Sequence, residues 1–146
     1  GRHLSLRIEI MFQHEIQLRV RYGETDQMGY AYYGNYPLYN EVARVECFRH
    51  AGLSYKRLEE EGIMMPVLES HSYYTKPAFY DELLTIKVSI PEMPKVRITF
   101  LYEFFNEQGE LIHRGDTRLV FIHSESRRPT RLPEQMAAIL APHFAS

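Results

Sequence analysis

The stretch YGETDQMGYAYYGNYPLYNEVARVECFRHAG, residues 22–52, joins a polar, turn-rich loop to the longest helical pattern in the chain. Asn35 and Pro37 suit the start of a helix, because Asn is a good cap and Pro loses no hydrogen bond in the first turn. Apolar residues follow at helical spacing, namely Leu38, Val42 and Val45, with Cys47, Phe48 and Ala51 widening the face. We predict a helix over residues 36–51 that packs on a sheet by this face and stops at Gly52.

The segments around this helix have the character of strands. Residues 12–22 alternate between apolar and polar side chains, which is typical of a half-buried strand. Residues 65–79, 83–90, 96–105 and 111–123 predict four more strands, and residues 106–109 predict a hairpin turn between the last two. Short helices are expected at 54–61 and 132–140, the latter ending just before Pro142. This order predicts an α+β fold with one long helix on an antiparallel sheet.

Length and composition are those of one ordinary globular domain. The chain has 146 residues, of which 45% are hydrophobic and 25% charged. We expect residues 1–11 to be an extension and residues 12–146 to form the domain. The single Cys47 cannot form an internal disulfide, and no apolar run nears the roughly 20 residues that span a bilayer. A cytoplasmic protein that does not bind membranes is therefore expected.

A net charge of −2 argues against a protein that binds nucleic acid, which would need a basic field. The basic cluster Arg127, Arg128 and Arg131 is interpreted as a solvated loop. The histidines show no i, i+4 pair on a predicted helix, so we expect no zinc site. We also expect no cofactor.

Three segments in order resemble one family. The loop YGETDQMGYAYYGNY (22–36) resembles the active-site loop of hotdog-fold thioesterases of the 4-hydroxybenzoyl-CoA thioesterase type. The segment YNEVARVE (39–46) is similar to the central helix of that family, and PAFYDELLTI (77–86) to the entry of its third strand. The resemblance spans residues 12–123. It implies a five-stranded antiparallel sheet wrapped around the long helix, and an enzyme that hydrolyses an acyl-CoA thioester.

Asp26 matches the catalytic aspartate of this family. Thioester hydrolysis needs either a nucleophile or a base that activates water, and a carboxylate can serve as either. Without the resemblance, the simpler interpretation would be that Asp26 closes its own loop through its side chain. The resemblance favours the catalytic role.

The thioester oxygen gains negative charge during the reaction, and the backbone NH groups at a helix start can stabilise it. The resemblance implies the NH of Tyr33 as this donor, and Gly34 is the second candidate because the helix pattern begins there. Some family members have His at the position of Tyr33, but a phenol, which titrates near 10, cannot act as a near-neutral base. Four tyrosines in and beside the loop could line an acyl pocket or belong to the core: Tyr30, Tyr32, Tyr33 and Tyr36.

Three other candidate residues are supported by less specific sequence patterns. Glu41 could pair with Arg44 at i, i+3 or, as in other hotdog thioesterases, be the catalytic acid. Lys95 and Arg97 match basic positions of the family and would contact the CoA phosphates, although a solvated hairpin would also explain them. A substrate on an acyl carrier protein would need these contacts less.

Two other functions stay open, a hydratase or dehydratase acting on acyl thioesters and a non-catalytic acyl-binding domain. The residues do not indicate which acyl group is bound. The resemblance also implies a homodimer or homotetramer whose sites are completed by two subunits, since a lone sheet would leave an open edge.

Overall fold

The computed structural model describes residues 11–144, so the expected extension lies outside the described residues apart from Met11. These residues form three α-helices: α1 (Tyr36–His50), α2 (Tyr55–Glu60) and α3 (Glu134–Phe144). The strands are β1 (Phe12–Arg19), β2 (Ile63–Met64), β3 (Val67–Tyr74), β4 (Leu83–Ile90), β5 (Arg97–Phe105), β6 (Leu111–Val120) and β7 (Ile122–His123). None of the helices in this part of the chain has the length and apolarity needed to cross a bilayer.

Five strands form one antiparallel sheet in the order β1-β4-β5-β6-β3. The predicted turn at residues 106–109 joins β5 to β6, with the Asn106 NH donating to the Glu110 carbonyl at 3.0 Å. β2 and β7 form a separate two-stranded ladder, so the strand predicted over 111–123 is two strands. The five-stranded sheet and long helix confirm the predicted α+β hotdog architecture.

The face of α1 that packs on the sheet agrees with the prediction only in part. Leu38 is 58% exposed and Val42 is 43% exposed, and Ala51 is also exposed. The buried residues of α1 are Tyr36, Tyr39, Asn40, Ala43, Arg44, Cys47 and Phe48. Cys47 and Phe48 are buried as predicted. The prediction was wrong for Leu38, Val42 and Ala51, because large aromatic side chains form a second stripe at helical spacing and bury more area.

Several element ends also differ from the predictions. β1 stops at Arg19 because the alternation fails beyond Val20, and Tyr22 is 77% exposed in a 3-10 turn. The helix stop at Gly52 is confirmed, with φ +95° at Gly52 and the Leu53 NH bonded to the Phe48 carbonyl at 2.8 Å. Pro142 lies inside α3 rather than after it. The helix continues to Phe144, which packs on the core, so this burial outweighs the hydrogen bond that Pro142 cannot make.

Candidate functional site

The loop after β1 is a compact turn built on Asp26. Its ends are joined by a bridge between Thr25 and Ala31, and the Asp26 NH donates to the Tyr30 carbonyl at 2.8 Å. Gly29 has φ +80°, a left-handed conformation that suits glycine, and its NH donates to the Asp26 carbonyl at 3.0 Å. These bonds hold the Asp26 backbone in a fixed position.

The Asp26 carboxylate uses one oxygen to hold this loop. Oδ1 accepts hydrogen bonds from the backbone NH of Met28 at 2.9 Å and of Tyr30 at 3.3 Å. The side chain is half-buried, and no group among residues 11–144 hydrogen-bonds to Oδ2. Asp26 therefore closes its own loop, as the simpler interpretation expects, and it keeps one carboxylate oxygen available for chemistry.

A 3-10 turn, Tyr33–Asn35, precedes the regular start of α1 at Tyr36. The backbone NH groups of Tyr33 and Gly34 have no acceptor in the described part of the chain. Two adjacent unpaired NH groups at a helix start, with the positive end of the helix dipole behind them, can bind a negatively charged oxygen. The turn thus offers both of the donors that the sequence named.

Asn35 does not cap the helix as the sequence predicted. Its backbone is already helical, with φ −83° and ψ −18°, and its side chain makes no capping hydrogen bond. Instead, its Nδ2 donates to the Glu24 carbonyl at 2.7 Å. A partner 11 residues earlier in the chain cannot be read from local capping preferences, because the bond depends on how the loop folds back on the helix.

Glu24 connects the aspartate loop to α1, a role that was not predicted from the sequence. Its carbonyl also accepts the Tyr32 NH at 2.8 Å, and its carboxylate accepts hydrogen bonds from the Arg21 guanidinium at 2.6 Å and the Tyr39 hydroxyl at 3.1 Å. Burial raises the pKa of the Glu24 carboxyl, but the bonds from Arg21 and Tyr39 and the Arg21 charge outweigh it, so the pKa is lowered. The only sequence signal was its place two residues before Asp26.

The four tyrosines of the motif separate into core and surface. Tyr36 is 3% exposed and stacks on His113 with ring centroids 3.9 Å apart, so it belongs to the core. Tyr30 is half-buried against Phe79, whereas Tyr32 and Tyr33 are 47% and 63% exposed. Of the four, Tyr32 and Tyr33 are therefore the two whose side chains solvent or a ligand can reach.

Two buried polar side chains, which were not predicted from the sequence, lie between the first turns of α1 and the sheet. Asn40 and His113 are both fully buried, and neither side chain has a hydrogen-bond partner in the described residues. Burial lowers the pKa of His113 from 6.5 to about 4, so its imidazole is neutral at physiological pH. Gly115 on β6 leaves room for Asn40, whose Nδ2 is 3.4 Å from the position that a Cβ at residue 115 would take.

Lys95 and Arg97 lie at the other end of the sheet from Asp26. Antiparallel pairing places the end of β1, the start of β4 and the end of β5 together, so the start of β5 is at the far end. The eight residues of β4 separate these ends by roughly 26 Å. Both basic residues are exposed, and Arg131 lines a groove with Lys95. Within one chain the fold therefore does not bring them to Asp26.

The predicted pair of Glu41 and Arg44 is absent from the structure of residues 11–144. Glu41 is exposed, while Arg44 is buried and donates to the Tyr102 hydroxyl at 3.4 Å. Glu46 pairs instead with Arg49 at 3.1 Å. The interpretation of Glu41 as the structural partner of Arg44 is therefore wrong.

Comparison of the sequence with known proteins identifies a family. A model of the thioesterase-like superfamily matches residues 20–140. YneP of Bacillus subtilis, whose name provisionally assigns it acyl-CoA thioesterase activity, is 31% identical over 113 residues, covering 77% of this chain and 82% of YneP.

Many solved structures are similar to the chain, including two that are named as thioesterases. A DHNA-CoA thioesterase from Staphylococcus aureus is 38% identical with a TM-score of 0.79, over 82% of this chain and 80% of that one. A mutant 4-hydroxybenzoyl-CoA thioesterase complexed with 4-hydroxybenzoyl-CoA shares the fold at 23% identity and a TM-score of 0.78, over 88% and 98%. Because the family model covers most of the sequence, from before the Asp26 loop to within α3, the chain belongs to the thioesterase-like superfamily.

Proposed function

We propose that this protein is an acyl-CoA thioesterase in which Asp26 performs the chemistry and the Tyr33–Gly34 turn polarises the thioester carbonyl. One observation carries the proposal: the loop of Asp26 is tied to the turn of Tyr33 and Gly34, and within residues 11–144 neither Oδ2 of Asp26 nor the two NH groups of that turn have a hydrogen-bond partner. The names of YneP and of the Staphylococcus aureus enzyme support the same activity.

The reaction begins when an oxygen nucleophile adds to the thioester carbon. Either Oδ2 of Asp26 attacks and forms a mixed anhydride that water later hydrolyses, or the carboxylate takes a proton from water as that water attacks. In both routes the carbonyl oxygen becomes negative and is stabilised by the NH groups of Tyr33 and Gly34. Collapse of the adduct breaks the carbon–sulfur bond, and CoA leaves as a thiolate. When water was the nucleophile this step yields the acid directly, whereas after attack by Oδ2 it leaves the anhydride, and the acid is released when water hydrolyses that anhydride.

The CoA nucleotide would meet Lys95 and Arg97 only if two copies of the chain assemble. β3 is an edge strand, and Val67, Leu68, Tyr73 and Tyr74 on it are about half exposed. If two β3 strands paired antiparallel, the second sheet would run in the opposite direction to the first. The end of the second sheet that carries the partner's Lys95 and the partner's Arg97 would then lie beside the end of the first sheet that carries Asp26. A homodimer with composite sites, or a tetramer built from such dimers, satisfies this geometry.

Replacement of Asp26 tests the proposal. Asp26→Asn keeps the shape and the Oδ1 hydrogen bonds but removes the charge that a nucleophile or base requires, so kcat on a good acyl-CoA should fall at least ~100-fold. Release of free thiol measures the rate, and binding of a non-hydrolysable acyl-CoA analogue should survive. The matched control is Glu41→Gln, which removes an exposed carboxylate from α1.

Each outcome points to one mechanism. A larger loss in Glu41→Gln than in Asp26→Asn would move the chemistry to the helix. Unchanged turnover in Asp26→Asn would contradict the aspartate mechanism, and no turnover by the unmodified protein on a panel of acyl-CoAs would favour an acyl-binding domain. The hydratase alternative needs a His and acid pair beside the loop. His71 and Asp116 do pair at 2.8 Å, but on the sheet face away from α1.

A further inference from the structure

The side chain of Asn35 is used in an unusual way for its position. It stands directly before the first residue of α1, where an Asn side chain commonly accepts a hydrogen bond from the helix and stabilises it by about 1 kcal/mol. No such bond is made, and the amide donates to the Glu24 carbonyl at 2.7 Å instead. Asn35 therefore binds the segment that leads to Asp26 instead of its own helix.

The Glu24 carbonyl receives two donors that flank the Tyr33–Gly34 peptide. One is the Tyr32 NH at 2.8 Å, on the side before the turn, and the other is Asn35 Nδ2 at 2.7 Å, on the side after it. The turn itself is closed by the Asn35 NH bonding to the Tyr32 carbonyl at 2.9 Å. Both ends of the turn are thus tied to one oxygen that lies two residues before Asp26.

We infer that Asn35 is a positioning residue that sets the distance and angle between the unpaired NH groups of Tyr33 and Gly34 and the Asp26 carboxylate. The inference rests on the proposed thioesterase function. Such donors act only when they lie about 2.7–3.1 Å from the developing oxyanion, and a misplacement of about 1 Å can lower a rate by about 100-fold. A tether that joins the donors to the loop carrying the carboxylate controls this distance.

Two substitutions separate this role from helix capping. Asn35→Ala removes the amide, and Asn35→Asp keeps its size but cannot donate to a carbonyl while ionised. Asp is as good a cap as Asn and favours the positive end of a helix, so a role in capping alone would leave both the Tm and the kcat of Asn35→Asp unchanged. We expect kcat to fall about 10-fold or more in both variants, with KM and the affinity for a non-hydrolysable analogue changed less than about twofold.

A matched control is Asn106→Ala in the β5–β6 hairpin, which also loses side-chain hydrogen bonds but lies outside the loop and the turn. It should lower the Tm and leave kcat unchanged. A loss of kcat in Asn35→Asp alone would overturn the inference, because the added charge would explain it. Unchanged kcat in Asn35→Ala would also overturn it.

Amide hydrogen exchange gives a readout that does not depend on turnover. In Asn35→Ala the Tyr32 NH should lose protection by about 10-fold or more, because the carbonyl that it binds is no longer held against the turn, while amides in β4 and β5 keep theirs. If the unmodified protein hydrolyses no acyl-CoA, the proposed function fails. The hydrogen exchange of the Tyr32 NH then tests by itself whether Asn35 holds the Glu24 carbonyl against the turn. Unchanged protection of Tyr32 contradicts the tether in either case.

Discussion

Buried His113 should make the stability of this protein fall in mildly acidic solution. In an unfolded chain its imidazole binds a proton near pH 6.5, but in the fold burial lowers its pKa to about 4. The unfolded chain therefore binds more protons between these two values, and the free energy of unfolding decreases as the pH falls through this window. Loss begins near pH 6.5 and is complete below about 4, where it reaches about 3 kcal/mol.

The surroundings of His113 supply no compensating charge. The rings of Tyr36, Tyr74 and Phe104 enclose it, with centroids 3.9, 4.8 and 5.0 Å away, and neither ring nitrogen has a partner among the described residues. A His113→Phe variant keeps a ring that can stack on Tyr36 and removes two unpaired polar atoms. It should be as stable as the unmodified protein at about pH 7, or more stable by about 1–3 kcal/mol.

Urea unfolding of both proteins at about pH 7 and about pH 4.5 tests this reasoning. Over that interval the unmodified protein should lose about 2 kcal/mol more than His113→Phe. Other groups, including His14, whose pKa is also lowered by burial and by His50, are present in both proteins and cancel in the difference. Equal losses in the two proteins, or an NMR titration of His113 centred near pH 6.5, would refute it.

Two further predictions concern CoA and assembly. Replacing Lys95 and Arg97 together by Ala should raise the KM for an acyl-CoA about 10-fold with little change in kcat. The KM for a pantetheine thioester, which lacks the nucleotide, should stay the same. An equal rise in KM for both substrates would show that these residues do not contact phosphate. Sedimentation at assay concentration should show a dimer or tetramer, and Leu68→Lys on the β3 edge should shift it toward an inactive monomer, whereas an active monomer would contradict the composite site.

Much of the fold was predictable because the signals are local. Alternation of apolar side chains from Phe12 to Val20 indicates β1 whatever lies next to it, and the strand of residues 83–90 was predicted with the bounds that it has. Gly52 ends α1 because its left-handed backbone suits glycine. The position of Asp26 followed from the motif, since a loop directly before a helix brings a carboxylate near that helix start.

Local patterns in the sequence therefore predict the order and type of most elements, and they mark the segment that we propose to carry the chemistry. Contacts between distant segments turn Leu38 and Val42 outward and bring Asn35 to the Glu24 carbonyl instead of its own helix. The pairing of the strands likewise puts Lys95 and Arg97 at the far end of the sheet. The two sets of features depend on interactions that act over different distances along the chain. Backbone preferences and side-chain period act within a few residues, whereas burial, hydrogen-bond partners and distances across a sheet depend on which distant segments the chain brings together.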